Sequence, residues 1–102
     1  MKKGVFVIGD RDAVLGLALI GVDGLATDDP EVAAERLAAL HEDPAAGLVL
    51  VTAGLARRLG PRLEALKAAA GLPVIYEIPD GTGRPERAPL ADLVRRALGV
   101  GT

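Results

Sequence analysis

Short runs of consecutive apolar residues, separated by helical patterns, are the feature that most restricts how this chain can fold. Three runs are continuous and rich in Val and Ile, and a fourth is weaker; they cover residues 5–8, 48–51 and 74–78, with 24–27 as the weaker one. Strands of a one-sided sheet alternate apolar and polar residues, whereas strands covered on both faces are apolar throughout. The runs therefore predict a parallel sheet enclosed between helices.

Four helical segments are predicted between and after these strands. They cover residues 12–20, 30–41, 53–70 and 89–98. Asp29 and Pro30 mark the start of the second helix, because Asp accepts hydrogen bonds from open N–H groups and Pro fits the first helical position. Pro61 lies inside the third segment, where a proline costs about 3 kcal/mol. We therefore expect that helix to break near Gly60.

The order of these elements, βαβαβαβα, predicts the fold class. Alternating strands and helices imply right-handed crossovers and a parallel sheet. We predict an α/β, flavodoxin-like (Rossmann-like) three-layer domain with a four-stranded parallel sheet of order 2-1-3-4 and a C-terminal helix. Residues 1–102 form a single domain in this prediction. Its parts are a sheet core, a mobile loop, and a C-terminal helix with its tail, at 1–78, 79–89 and 90–102.

Composition argues against several classes of function. The chain has no cysteine, one His, 2% aromatic residues and a formal net charge of -2. These values exclude disulfide frameworks, thiolate or multi-histidine metal sites and base-stacking platforms, and they give no electrostatic case for binding nucleic acid. No apolar run reaches the roughly 20 residues that a membrane span needs. We expect a cytoplasmic chain without direct membrane insertion.

The turn after the first strand is the first candidate for chemistry, since ligands of doubly wound sheets bind at the carboxyl ends of the strands. Asp10 and Asp12 could hold Mg²⁺ in a receiver-like or small-ligand-binding domain. A receiver also needs an acceptor Asp after the third strand, where Thr52 stands, and a Lys on a fifth strand. The simpler interpretation is that Asp12 caps the first helix and Asp10 shapes the turn.

Catalytic chemistry has few candidate residues. His41 is the one general base near neutral pH, and it lies at the predicted end of the second helix, away from the strand ends. The turn at 9–16 lacks both the glycine spacing of a dinucleotide loop and the G-K-[ST] of a P-loop. The chain contains no serine. We therefore expect a chain that is not an enzyme and binds no cofactor.

Two of the predicted helices raise the question of a partner. The first has no polar residue between Ala13 and Ile20, and a helix that is apolar all round must be covered all round. It is either wedged between the sheet and a neighbouring helix or in contact with another protein. The last helix is short, and helices under about 12 residues are unstable alone. The mean hydropathy of +0.32 also implies nearly complete apolar burial or a covering partner.

Four motifs follow one another along the chain in an order known from one protein family. The stretch 7–21 is similar to the pattern I-G-D-x-D-x-V-x-G-F-x-L-A-G, with Leu17 where an aromatic residue is usual. Residues 48–61 resemble the family's third strand and broken third helix. Residues 73–79 are similar to its P-x-I-x-E-I-P strand, and 93–100 to its C-terminal helix. Together these motifs resemble the F subunit of the V-type (A-type) rotary ATPases.

The resemblance implies a non-catalytic rotor subunit in the central stalk of a proton- or sodium-translocating ATPase or ATP synthase. Such a rotor subunit would bind the coiled-coil D subunit, contact the A and B subunits of the catalytic head transiently, and could also reach the membrane-proximal subunit. It would help to transmit torque and would modulate ATP hydrolysis or synthesis. It would lie on the cytoplasmic side of the membrane, peripheral to it.

Under this interpretation the last predicted helix is the expected partner interface. Its apolar anchors are predicted to be Leu93, Val94 and Leu98. Two basic residues are predicted at the rim of the interface, Arg95 and Arg96. The turn that carries Asp10 and Asp12 is a second candidate for contact.

Overall fold

The structure, a computed structural model, describes residues 4–69 and 71–81. Its elements, in chain order, are β1 (Gly4–Gly9), α1 (Arg11–Ala18), β2 (Asp23–Ala26), α2 (Pro30–His41), β3 (Ala46–Thr52), α3 (Ala53–Leu59), α4 (Pro61–Ala68) and β4 (Val74–Ile78). The predicted helix at 89–98, with its five proposed interface residues, and most of the predicted loop at 79–89 lie outside the described residues.

The four strands form one parallel sheet in the order β2-β1-β3-β4. This confirms the predicted α/β class, the parallel pairing and the strand order. In the register of β1 and β3, Val7 lies beside Leu50 and Ile8 lies beside Val51. Because successive side chains of a strand point to opposite faces, these two pairs belong to opposite sides of the sheet.

Each face of the sheet has its own apolar cluster. On the face that carries Ile8, α2, α3 and α4 contribute buried side chains, among them Leu37, Leu55 and Leu63. On the opposite face, Val7 and its neighbours pack against α1 and the turn that follows it; the buried members there are Val7, Leu17, Val22, Leu50 and Ile78. The prediction that helices lie on both sides of the sheet is therefore confirmed.

The break in the third predicted helix is also confirmed. α3 ends at Leu59, and Pro61 is the first residue of α4. Gly60 between them has a φ of 57°, a left-handed conformation that glycine adopts without the steric cost of a Cβ. Pro61 lacks an N–H that a continuous helix would need, so the chain turns at Gly60 and starts a new helix.

The start and end of α1 differ from the prediction of a helix at 12–20. Asp10, not Asp12, is the N-cap: its side chain accepts a hydrogen bond from the N–H of Ala13 at 3.0 Å. The prediction that Asp12 caps this helix is wrong, since Asp12 lies in the first helical turn. The helix also ends earlier, at Ala18. No helix among the described residues is long and apolar enough to cross a membrane.

Candidate functional site

α1 leaves large apolar side chains on the protein surface. The helix lies against β1 and β2 and buries Ala13 and Leu17. On its outer side, however, Leu15 is 56% exposed, and Leu19 just beyond the helix is 87% exposed. Within residues 4–69 and 71–81, no element covers these leucines on their outer side. Whether a neighbouring helix or another protein covers them stays a prediction.

The edge strand β4 exposes apolar residues on the same side of the sheet as α1. Val74 and Tyr76 are 52% and 49% exposed. Val74 pairs in register with Leu48, and Tyr76 pairs with Leu50, so both belong to the face of the α1 cluster. We call these exposed residues on the α1 side of the sheet the apolar surface; its members are Leu15, Leu19, Val74 and Tyr76.

The carboxyl edge of the sheet holds a hydrogen-bonded group of aspartates. The side-chain oxygens of Asp10 accept from the N–H of Gly81, at 3.2 and 3.3 Å, in addition to the bond from Ala13. The Oδ1 of Asp80 accepts from the N–H of Gly54 at 3.0 Å. Both carboxylates therefore bind backbone N–H groups at the start of a helix, where the helix dipole favours negative charge.

A cavity of about 160 Å³ opens at this edge. Its lining includes three aspartates, two threonines, a glycine, a leucine and an arginine: Asp10, Thr27, Asp28, Thr52, Gly54, Leu55, Arg58 and Asp80. Arg58 donates a hydrogen bond to the backbone carbonyl of Asp28 at 3.0 Å, and its guanidinium lies 4.0 Å from the carboxylate of Asp28. The hydrogen bonds of these polar groups connect loops to helices, so their role in the described structure is to stabilise the fold.

Two features of a receiver are missing from this edge. Thr52 ends β3 where an acceptor Asp would stand, and no three His, Cys, Asp or Glu side chains within residues 4–69 and 71–81 are arranged to hold a metal ion.

His41 is the last residue of α2 and lines neither this cavity nor a second one of about 340 Å³ between β1, β2 and α2.

Sequence reasoning missed the contacts of Asp80 and Gly81. Asp80 could be recognised as a residue beyond the last strand, but its hydrogen-bond partner Gly54 is 26 positions away, and Gly81 is 71 positions from Asp10. Only the order of β1, β3 and β4 in the sheet brings these ends together. A parallel sheet of known order would have indicated the neighbourhood, though not the individual bonds.

The chain matches one known protein family over most of its length. The family model described as ATP synthase (F/14-kDa) subunit matches residues 5–94. This chain belongs to that family. An A-type ATP synthase F subunit, that of Methanothermobacter thermautotrophicus, is 38% identical over 103 residues, covering 98% of this chain and 96% of that protein. The F subunits of Thermococcus kodakarensis and Pyrococcus furiosus are 36% and 35% identical, each covering 94% of both chains.

The family resemblance inferred from the four motifs is thereby confirmed, and the chain is a subunit of a rotary ATP synthase of the V/A type. The matched range contains Asp10, Asp12, Leu93 and Val94, whereas the remaining predicted interface residues lie beyond it. The roles of all these residues at an interface stay predictions.

Proposed function

We propose that this chain is a non-catalytic central-stalk subunit that binds the coiled-coil D subunit and helps to transmit torque. The observation that carries this proposal is the family match over residues 5–94. The fold agrees with a role in binding another protein rather than a small ligand. At the edge of the sheet where small ligands usually bind, the carboxylates of Asp10 and Asp80 accept hydrogen bonds from the chain's own backbone N–H groups. ATP hydrolysis and synthesis are assigned to other subunits in this proposal.

The apolar surface supports an interaction with another protein. Burying a Leu side chain completely stabilises by about 1.5–3 kcal/mol, and Leu19, at 87% exposure, has nearly all of that still to gain. Leu15 has somewhat more than half to gain. A coiled coil presents rows of side chains into which such residues can pack. We propose that these two leucines contact the D-like shaft.

The last predicted helix supplies the rest of the proposed interface. Three of its residues are the proposed apolar anchors, Leu93, Val94 and Leu98. Two basic residues are proposed at the rim, Arg95 and Arg96. An apolar centre with a charged rim is the usual composition of a stable interface. A rotor subunit must not slip under load, so we expect at least about 1,200 Å² of buried surface in total.

The remaining contacts follow from a position on the shaft. As the shaft turns, the chain would contact the A and B subunits of the head transiently, and this contact would modulate hydrolysis or synthesis. It could also reach the membrane-proximal subunit. The proposed location is the cytoplasmic side of the membrane, peripheral to it, within a proton- or sodium-translocating complex.

The proposal is tested by mixing the purified chain with the D subunit from the same source and measuring mass by size-exclusion chromatography with light scattering. We expect a stable one-to-one complex. Two separate peaks at micromolar concentration would mean binding weaker than about -8 kcal/mol and would refute the proposal. A Mg²⁺ titration of the chain, followed by NMR at Asp10 and Asp12, would then test the receiver-like alternative.

Variants locate the interface. Leu93→Asp and Leu19→Asp should each weaken the complex by several kcal/mol, because each places an unpaired charge in an apolar contact. Val32→Asp is the matched control: Val32 is also an exposed apolar residue, 39% accessible, but it lies on α2, on the opposite side of the sheet. We expect Val32→Asp to bind like the wild type. If Leu93→Asp and Leu19→Asp also bound like the wild type, neither position would lie in the interface.

A further inference from the structure

The residues that follow β4 join two helices on opposite faces of the sheet. Asp80 accepts a hydrogen bond from Gly54 in the first turn of α3, which packs on the face of Ile8. Gly81 donates to Asp10, the N-cap of α1, which packs on the face of Val7. Two consecutive residues thus connect both helical layers at the point where the chain leaves the sheet.

The contact with α3 replaces a cap that the helix does not make for itself. Thr52 occupies the N-cap position of α3, but its side chain makes no capping hydrogen bond. Asp80 supplies that bond to Gly54 from 26 residues away, at 3.0 Å. The space is tight, since a Cβ on Gly54 would lie 3.2 Å from a carboxylate oxygen of Asp80. A Cβ at position 54 would require the Asp80 carboxylate to give way by a few tenths of an ångström, so glycine allows its closest approach.

The contact with α1 depends on glycine at position 81. Gly81 is buried, and a Cβ added there would lie 2.6 Å from the backbone nitrogen of Ala13 and 2.7 Å from its Cα. Backbone atoms of a capped helix cannot move aside as a flexible side chain can. Any larger residue must push the chain away from α1 and lengthen the bonds from Gly81 to Asp10.

We infer that Asp10, Asp80 and Gly81 form a clamp that fixes the place and the direction in which the chain leaves the sheet core, and that this clamp positions the C-terminal segment for binding the D subunit. The second part of the inference rests on the proposed function. Asp80 and Gly81 lie beyond the end of β4, and Asp10 follows the end of β1, so none of the three takes part in the strand pairing of the sheet. The hydrogen bonds of Asp80 and Gly81 instead connect the residues after β4 to α3 on one face of the sheet and to the N-cap of α1 on the other.

A distance measurement tests the clamp directly in the free, full-length chain. Because the sequence has no cysteine, two can be introduced for spin labels, at the exposed Ala38 on α2 and at Arg84. Three residues of extended chain span at most about 11 Å, so the label at position 84 reports the exit point. Double electron–electron resonance then gives the distribution of distances between the two labels.

We expect Gly81→Ala to broaden that distribution or to shift its mean, because the added Cβ would lie 2.6 Å from a backbone atom of α1 and the chain must move by about 1 Å or more to reach normal contact. Asp80→Ala, which removes a bond without adding bulk, provides a second test should Gly81→Ala fail to fold. The matched control is Gly16→Ala in α1, where a Cβ would meet nothing within 4 Å. A wild-type distribution in a folded Gly81→Ala or Asp80→Ala chain would overturn the clamp.

Binding to the D subunit separates the two parts of the inference. We expect the clamp variants to bind it at least about tenfold more weakly than the wild type, a loss of roughly 1.4 kcal/mol. If the distance distribution changed but the affinity did not, the clamp would stand and its role in positioning would be overturned. If the wild type itself did not bind the D subunit, the proposed function would fail, while the label distances would still decide whether the clamp exists.

Discussion

The two leucines of α1 allow the assignment of its buried and exposed sides to be tested with one chemical change. Leu17 is 2% exposed and belongs to the cluster on the Val7 face of the sheet, whereas Leu15, two positions earlier, is 56% exposed. Replacing either by Ala removes the same atoms from the same helix. Any difference in the loss of stability must therefore come from the surroundings of the two side chains.

The expected losses follow from burial. Complete burial of a Leu stabilises by about 1.5–3 kcal/mol, and Leu17→Ala loses nearly all of it and also leaves a cavity, for a total of about 3–4 kcal/mol. Leu15 loses less than half of the burial energy, about 1 kcal/mol, and the better helix propensity of Ala returns a few tenths. For a domain of this size, about 3 kcal/mol lowers Tm by roughly 12–24 °C.

Urea unfolding followed by far-ultraviolet circular dichroism measures both losses. Circular dichroism is the suitable signal because the chain has no Trp and a single Tyr. The midpoint of Leu17→Ala should fall far below that of Leu15→Ala, with unchanged denaturant slopes. Equal losses in the two variants, or a loss below about 1 kcal/mol for Leu17→Ala, would contradict the packing of α1 against the sheet.

Two further predictions concern the loops and the surface. Asp10→Ala should lower the free energy of unfolding by about 2 kcal/mol and Asp29→Ala by about 1 kcal/mol. Both variants lose a helix cap, but only Asp10 also accepts a hydrogen bond from Gly81. Equal losses in urea unfolding would mean that the bond to Gly81 does not contribute to stability. Arg62→Ala breaks an exposed ion pair with α2 and should cost under about 0.5 kcal/mol; a Tm change beyond a few degrees would show that this pair matters more than its exposure suggests.

Much of the fold could be predicted because its signals are local. The continuous Val- and Ile-rich runs indicate strands covered on both faces, and β1, β3 and β4 follow them. The two adjacent residues Gly60 and Pro61 mark the break between α3 and α4. Right-handed connection of alternating strands and helices then leaves few possible orders for the sheet, and the flavodoxin-like order is the one found.

The capping of α1 and the contacts after β4 could not be predicted in the same way. Asp10 and Asp12 are the same residue type two positions apart, and each could cap a helix that starts nearby. Asp10, which caps the helix, also accepts a hydrogen bond from Gly81. Residues so far apart in the sequence come into contact only once the sheet is assembled. Local sequence therefore marks the turn but does not identify the capping residue.

The high mean hydropathy of this small chain goes together with apolar side chains that remain exposed. A domain of about 100 residues buries only some 65% of its unfolded surface, and this chain, with a mean hydropathy of +0.32, leaves several apolar side chains outside the core. In the described residues several of these lie on the α1 side of the sheet, among them Leu19 and Tyr76. Their exposure adds nothing to the stability of the free chain, but it favours association, because a partner that covers them removes apolar surface from water. In a family of ATP synthase subunits, this gain on association is the physical reason to test the proposed contact with the D subunit on this side of the sheet.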